Sequence, residues 1–155
     1  MKGKKSGFGK ELNPKKNLIY QGEFFNDKRN GIGKEYRLEE IIFEGKFLNG
    51  ERWEGYGKEY YYNTLIFEGD YKNGKRNGKG KEYYEKNKIK FLGIFFDGQK
   101  EGEGINYYEN GKISFKGQYS KGGILNGKGY YNNGEIMYEI KNGEGKIKIY
   151  NEKNN

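Results

Sequence analysis

Between Phe67 and Tyr84 the chain reads FEGDYKNGKRNGKGKEYY. Side chains alternate by two as Phe67-x-Gly69-x-Tyr71. Turn-forming residues gather from Asn73 to Asn77, and the alternation reopens as Gly78-x-Gly80-x-x-Tyr83-Tyr84. A period of two belongs to a strand, and Asn-Gly with further glycines nearby belongs to a tight hairpin. The stretch predicts two antiparallel strands joined by a turn over residues 73–77.

The hairpin recurs along almost the whole chain. Gly-x-Gly pairs begin at Gly7, Gly31, Gly55, Gly78, Gly102, Gly127 and Gly143, at spacings of 24, 24, 23, 24, 25 and 16. An aromatic opener stands at Tyr20, Phe43, Phe67, Phe91, Phe115 and Tyr138, each preceded at two residues by an aliphatic. The first strand of a unit therefore reads aliphatic-x-aromatic-x-Gly-x-aromatic, with all four on one face. A mid-strand glycine weakens a sheet, so its recurrence predicts that a large ring from a neighbouring strand lies over it. The second strand carries Lys-Glu after the glycines in four units, then tyrosines. Alternation assigns Tyr61, Tyr84 and Tyr108 to the glycine face, where they are expected to join the aromatic core. Tyr60, Tyr83 and Tyr107 then face the other side, where cross-strand packing is the expected role.

Links such as Glu109-Asn110-Gly111-Lys112 are long enough only for antiparallel neighbours. The expected fold is all-β: a single-layer antiparallel meander of about thirteen strands, roughly 60 Å long at ~4.8 Å per strand. The expected organisation is one repeat domain over residues 1–155. It divides into an N-terminal half repeat (1–16), five full repeats (17–134), a degenerate cap (135–150) that ends in KIKIY, and a frayed tail (151–155).

Composition changes this picture in two places. Hydrophobic residues make up 32% and charged residues 34%, and the mean hydropathy is −1.20, values that alone describe a disordered chain. The 17% aromatic content and the 27 glycines against one proline argue instead for a thin sheet without a deep core. The absence of Cys and His excludes disulfides, Cys/His zinc sites and imidazole catalysis. No apolar run approaches the roughly 20 residues of a spanning helix, and the N-terminus has no apolar signal region, so a soluble, cytoplasmic chain is expected.

The unit carried in full by Phe67 to Tyr84 resembles the MORN repeat (membrane occupation and recognition nexus), and the resemblance runs over about residues 7–150. The departures are Asp27 at a turn glycine, one-residue insertions around Trp53 and Leu125, and the degenerate last unit. The resemblance implies a non-enzymatic scaffold or protein-interaction module. Dimeric scaffolding and peripheral membrane binding are both known among such proteins, as is attachment of the repeats to a separate catalytic domain.

The residues favour no catalysis by this chain. Carboxylates are scattered one or two per repeat beside lysines, and no Gly-x-Gly precedes a helix or ends in Gly-Lys-Ser/Thr. No cofactor, metal, small-molecule substrate or nucleic acid is expected. Two surfaces stand out. Leu92, Ile94 and Phe96 occupy alternating positions that are polar in the neighbouring units, as in Glu68, Asp70 and Lys72. They are expected to contact a protein, another copy of the chain included. The net charge is +8, and Arg29, Arg52, Arg76 and Lys100 each stand five residues after the second aromatic of a unit. If they lie in turns along one edge they form a positive row. That row is the alternative: peripheral binding to an anionic phospholipid surface.

Overall fold

Asn73 and Gly74 both take positive φ, 54° and 74°. That is the type I′ geometry that matches the twist of a two-residue hairpin. The turn is confined to these two residues: Lys72 pairs with Lys75 and Tyr71 with Arg76. The turn anticipated over residues 73–77 is thus shorter, and Arg76 lies inside a strand. Asn26-Asp27, Asn49-Gly50, Asp97-Gly98, Lys121-Gly122 and Asn142-Gly143 turn the same way. Asp27 replaces the usual glycine at a φ of 67°, a region that Asp and Asn tolerate better than most residues.

The computed structural model describes residues 3–147 and, at the C-terminal end, side chains as far as Gly145. The strands are β1 (Gly7–Leu12), β2 (Leu18–Phe25), β3 (Lys28–Arg37), β4 (Glu40–Leu48), β5 (Glu51–Tyr61), β6 (Thr64–Lys72) and β7 (Lys75–Tyr83). They continue as β8 (Ile89–Phe96), β9 (Gln99–Tyr107), β10 (Ile113–Ser120), β11 (Gly123–Tyr130), β12 (Ile136–Lys141) and β13 (Glu144–Ile147). All thirteen form one sheet in sequence order, each antiparallel to the next. This is the expected all-β meander. The tail 151–155 and the end of KIKIY lie outside the described residues.

The core is one row of rings on one face. Tyr20, Phe24, Phe43, Phe47, Phe67, Tyr71, Phe91, Phe95, Phe115 and Tyr119 are all buried. They are the two aromatics of each first strand. The rings meet edge to face in an unbroken zigzag. Within a strand Phe67 meets Tyr71 at 6.1 Å, and between units Phe67 meets Phe95 at 5.2 Å. Edge-to-face pairs at such distances contribute about 0.5–1.5 kcal/mol each beyond area burial. At the last step Phe115 and Tyr138 stack at 23° instead.

The glycines make this row possible. Gly69 lies opposite Gly80. A Cβ on Gly69 would stand 2.6 Å from the Lys79 carbonyl oxygen, 2.7 Å from the Gly80 Cα and 2.8 Å from the Phe67 ring. The ring over Gly69 is therefore the opener of its own strand, folded down across the glycine pair, rather than one reaching in from a neighbour. The neighbouring unit covers the partner glycine: the Phe95 ring would be 3.0 Å from a Cβ on Gly80.

The tyrosines expected to complete the core do not. Tyr61 is 65% exposed, and Tyr84 and Tyr108 are half-buried at the link rim. The core-side position next to the rings is taken by glutamate, with Glu59 opposite Phe67 and Glu82 opposite Phe91. A tyrosine two residues further on falls beyond the ring row. Tyr84 and Tyr108 donate their hydroxyls to the Tyr107 and Tyr130 carbonyls of the next unit, tying link to link.

Gly69→Ala is expected to destabilise the sheet by at least about 2 kcal/mol in denaturant titration, because backbone and ring must both shift. Gly9→Ala, whose Cβ would meet only the Phe24 ring at 3.4 Å, is expected to cost less than about 1 kcal/mol. Equal costs would show that the close glycine pair is not what limits the packing.

Candidate interaction surface

The core face carries a second periodic feature above the rings. Each basic residue of the expected positive row folds inward over an opener ring. The Arg29 guanidinium lies 4.7 Å from the Tyr20 centroid, Arg52 5.1 Å from Phe43, and Arg76 4.1 Å from Phe67. The Lys100 ammonium lies 4.0 Å from Phe91. Glutamates complete the arrangement. Arg29 pairs with Glu11 and Glu35 at 3.0 and 3.1 Å, and Arg52 with Glu35 at 2.7 Å. Arg76 pairs with Glu59 and Glu82 at 2.6 and 3.3 Å, and Lys100 with Glu82 at 2.9 Å. The four cationic side chains keep only 18–24% of their exposure.

This corrects the picture of a free positive edge. The two-residue turn puts these positions in the strands, one residue past the turn-closing pair, where they face the rings. Cation–π contact and ion pairing then hold them there. The sequence contained the signal that the glutamates belong to the same feature. Glu11, Glu35, Glu59 and Glu82 stand two residues after the second glycine with the period of the repeat.

The ladder of charges breaks once. Arg29 and Glu35 are six residues apart in β3, as are Arg76 and Glu82 in β7, and both pairs close within the strand. The insertion at Trp53 makes the same spacing seven in β5. Arg52 Nη1 donates instead to the Lys58 carbonyl at 2.9 Å, and Glu59 turns to Arg76 and the Tyr71 hydroxyl. A cleft of about 560 Å³ opens beside the bulge, lined among others by Arg29, Glu35, Arg52, Trp53 and Tyr71. Its carboxylate Glu35 is already shared between two arginines. Among the described residues no cluster of three carboxylates could hold a metal ion.

The opposite, outer face holds Leu92, Ile94 and Phe96. They are 37%, 36% and 63% exposed, so curvature of the sheet does not cover them. Ile94 lies opposite Lys79 of β7, and Leu92 lies between Lys81 of β7 and Ile105 of β9. On the far side of Ile94 stands Glu103, next to the Gly93–Gly104 pair. Sequence reasoning singled out the stripe but missed this charge of opposite sign on either side of it. Elsewhere on this face polar side chains satisfy one another: Tyr60 and Lys58 bond Glu40, and Tyr83 and Lys81 bond Glu68.

The geometry defines a single-layer array of β-hairpin repeats. The MORN repeat family model matches three stretches, residues 20–37, 67–88 and 91–113, each beginning on an opener ring. The chain carries MORN repeats in these stretches, and such repeats imply a repeat-based module for interaction or membrane binding. No curated protein matches it. Among the described residues no helix is long and apolar enough to cross a membrane.

Titration should report the ladder. Burial pushes the Glu59 carboxyl up, but hydrogen bonds from Arg76 and Tyr71 outweigh it and hold it below 4.5. Burial raises the phenols of Tyr20 and Tyr71 above 10, and that of Tyr119 to about 12. A lowered carboxylate stabilises above its unfolded value, and that stability is lost as pH falls through the folded one. A raised phenol stabilises fully below its unfolded value, and that stability is lost as pH rises through the folded one. The strand signal is therefore expected to persist from below about pH 5 to about pH 10 and to fail on both sides. Arg76→Gln leaves Glu59 buried with one partner and should cost about 2 kcal/mol near pH 7, and less near pH 4 where Glu59 can take a proton. A cost that does not change with pH would separate Arg76 from Glu59.

Proposed function

We propose that the chain is a non-enzymatic scaffold that associates with a second copy of itself across the outer face of β8. The observation that carries this reading is the exposed stripe Leu92, Ile94 and Phe96, set between units that are polar at the same three positions, Glu68, Asp70 and Lys72 before it and Lys116, Gln118 and Ser120 after it; further along the sheet, Phe25 and Leu48 repeat only the apolar side chain at the Phe96 position. Full burial of such a side chain is worth roughly 1.5–3 kcal/mol, so covering the exposed part of Phe96 would return about two thirds of that, and covering Leu92 and Ile94 about a third each. A two-fold axis along β8 would lay stripe on stripe. It would also bring Lys79 of one copy to Glu103 of the other, twice, because the two charges flank Ile94 on opposite sides. A patch that is apolar at its centre and charge-complementary to itself is what an isologous contact needs.

The membrane reading has less to draw on. The four cations that suggested it are ion-paired and folded over rings, so an anionic surface would have to meet other lysines.

Light scattering over a concentration series tests the proposal. The wild-type chain should have the mass of a dimer, and Ile94→Lys should have that of a monomer with an unchanged β spectrum. Lys79→Glu should weaken the dimer about ten-fold, and adding Glu103→Lys should restore it. A wild type that stays monomeric, or a dimer indifferent to Ile94→Lys, overturns the proposal.

A further inference from the structure

β1 is the second strand of a repeat and, among the described residues, has no first strand beside it. β1 pairs with β2 alone, so one row of its backbone donors and acceptors has no partner among the described residues. Its sequence is still that of a second strand. Gly3-Lys4-Lys5-Ser6-Gly7-Phe8-Gly9-Lys10-Glu11 runs in the order of Gly74-Lys75-Arg76-Asn77-Gly78-Lys79-Gly80-Lys81-Glu82. It is also held in that register. The Asp27 N–H donates to the Lys5 carbonyl at 3.0 Å, as the Gly98 N–H donates to the Arg76 carbonyl at 2.9 Å. Glu11 caps the Tyr20 ring row through Arg29 as its counterparts do.

What β1 lacks can be read from the socket around Gly9. A Cβ on the interior glycines Gly57, Gly80 and Gly104 would touch two rings. For Gly80 these are Phe67 at 2.7 Å and Phe95 at 3.0 Å; for Gly104 they are Phe91 at 2.5 Å and Tyr119 at 3.0 Å. At Gly9 only the Phe24 ring comes within 4 Å. The absent ring is the opener of a first strand. The outer face is missing the same strand. Lys81 bonds Glu68 of its own unit's first strand at 2.8 Å, whereas Lys10 makes no ion pair with the described residues. Lys4, Lys5 and Lys10 along the edge deter indiscriminate strand pairing, and they favour a strand that carries acid.

We infer that the free edge of β1 accepts one antiparallel strand from another polypeptide, of the reading aliphatic-x-aromatic-Glu-Gly-x-aromatic. The incoming glycine pairs with Gly9, the ring before it closes the open side of the Gly9 socket, and its glutamate meets Lys10. Gly69, Phe67 and Glu68 meet Gly80 and Lys81 in this way inside the array. Main-chain hydrogen bonds supply the attraction; the ring-and-glycine fit and the single charge pair supply the selection. The partner is thus a strand of this same repeat chemistry, such as would stand exposed at the end of another array.

The probe is a labelled peptide with the β6 sequence TLIFEGDYK, added to the whole chain and followed by fluorescence anisotropy and amide hydrogen exchange. Saturable binding of one peptide per chain is expected, with new protection confined to β1. Gly9→Val fills the socket and should weaken binding at least about ten-fold without changing association through β8. Lys10→Glu should weaken it too, and a peptide carrying Glu68→Lys should restore binding to that variant. The charge swap decides the matter even if Gly9→Val fails to fold. The inference is overturned by no binding up to the solubility limit of the peptide, by protection at β8 or β13 in place of β1, or by a charge-reversed peptide that rescues nothing.

Discussion

A ring lying flat on two bare backbones is the contact on which the rest of this sheet depends. Neither the opener nor the glycine pair is useful alone. The glycines leave a groove across two strands, the opener of one of them folds into it, and the second aromatic of the next unit closes the other side. The result buries aromatic surface on a single layer, with no second sheet or helix against it. Close packing usually needs interdigitating side chains from two layers. Here the second layer is made by the first one folding its own rings down.

The charges follow from that arrangement. A ring row with nothing above it would be wet, and the Arg, Lys and Glu side chains roof it. Their pairing is consequently shielded, whereas an outer-face pair such as Lys46 with Glu54 keeps more than half of its side-chain exposure. A chain with a net charge of +8 thereby presents fewer free cations than its composition implies. The four that looked most like a binding row are part of the fold.

The repeat period, the strand count and the antiparallel order were legible in the sequence because alternation and Asn-Gly turns are local signals. So was the odd stripe on β8, since a register of polar neighbours exposes a departure from it. The roles of Arg29, Arg52, Arg76 and Lys100 were not. Their direction depends on whether the turn takes two residues or five, and the basic and polar residues after Asn-Gly fit either. Tyr61, Tyr84 and Tyr108 misled for a related reason. Alternation gives a residue's face, but not how far along the strand the core extends. Where it stops is set by Glu59 and Glu82, each of which pairs with a cation of the following unit.

The inserted residue at Trp53 reaches beyond its own hairpin. By lengthening the spacing from Arg52 to Glu59 it divides the ionic roof into one run from Glu11 to Arg52 and another from Glu59 to Lys100, while the ring zigzag passes through uninterrupted. In a linear array each unit is coupled only to its neighbours, so cooperativity is transmitted through every junction in turn. The link that is lost lies inside β5, so the junctions on either side of that strand keep both their ion pair and their ring contact. A single inserted residue thus interrupts the row of charges without interrupting the packing, and in statistical terms the array remains one lattice with a gap in its electrostatics alone.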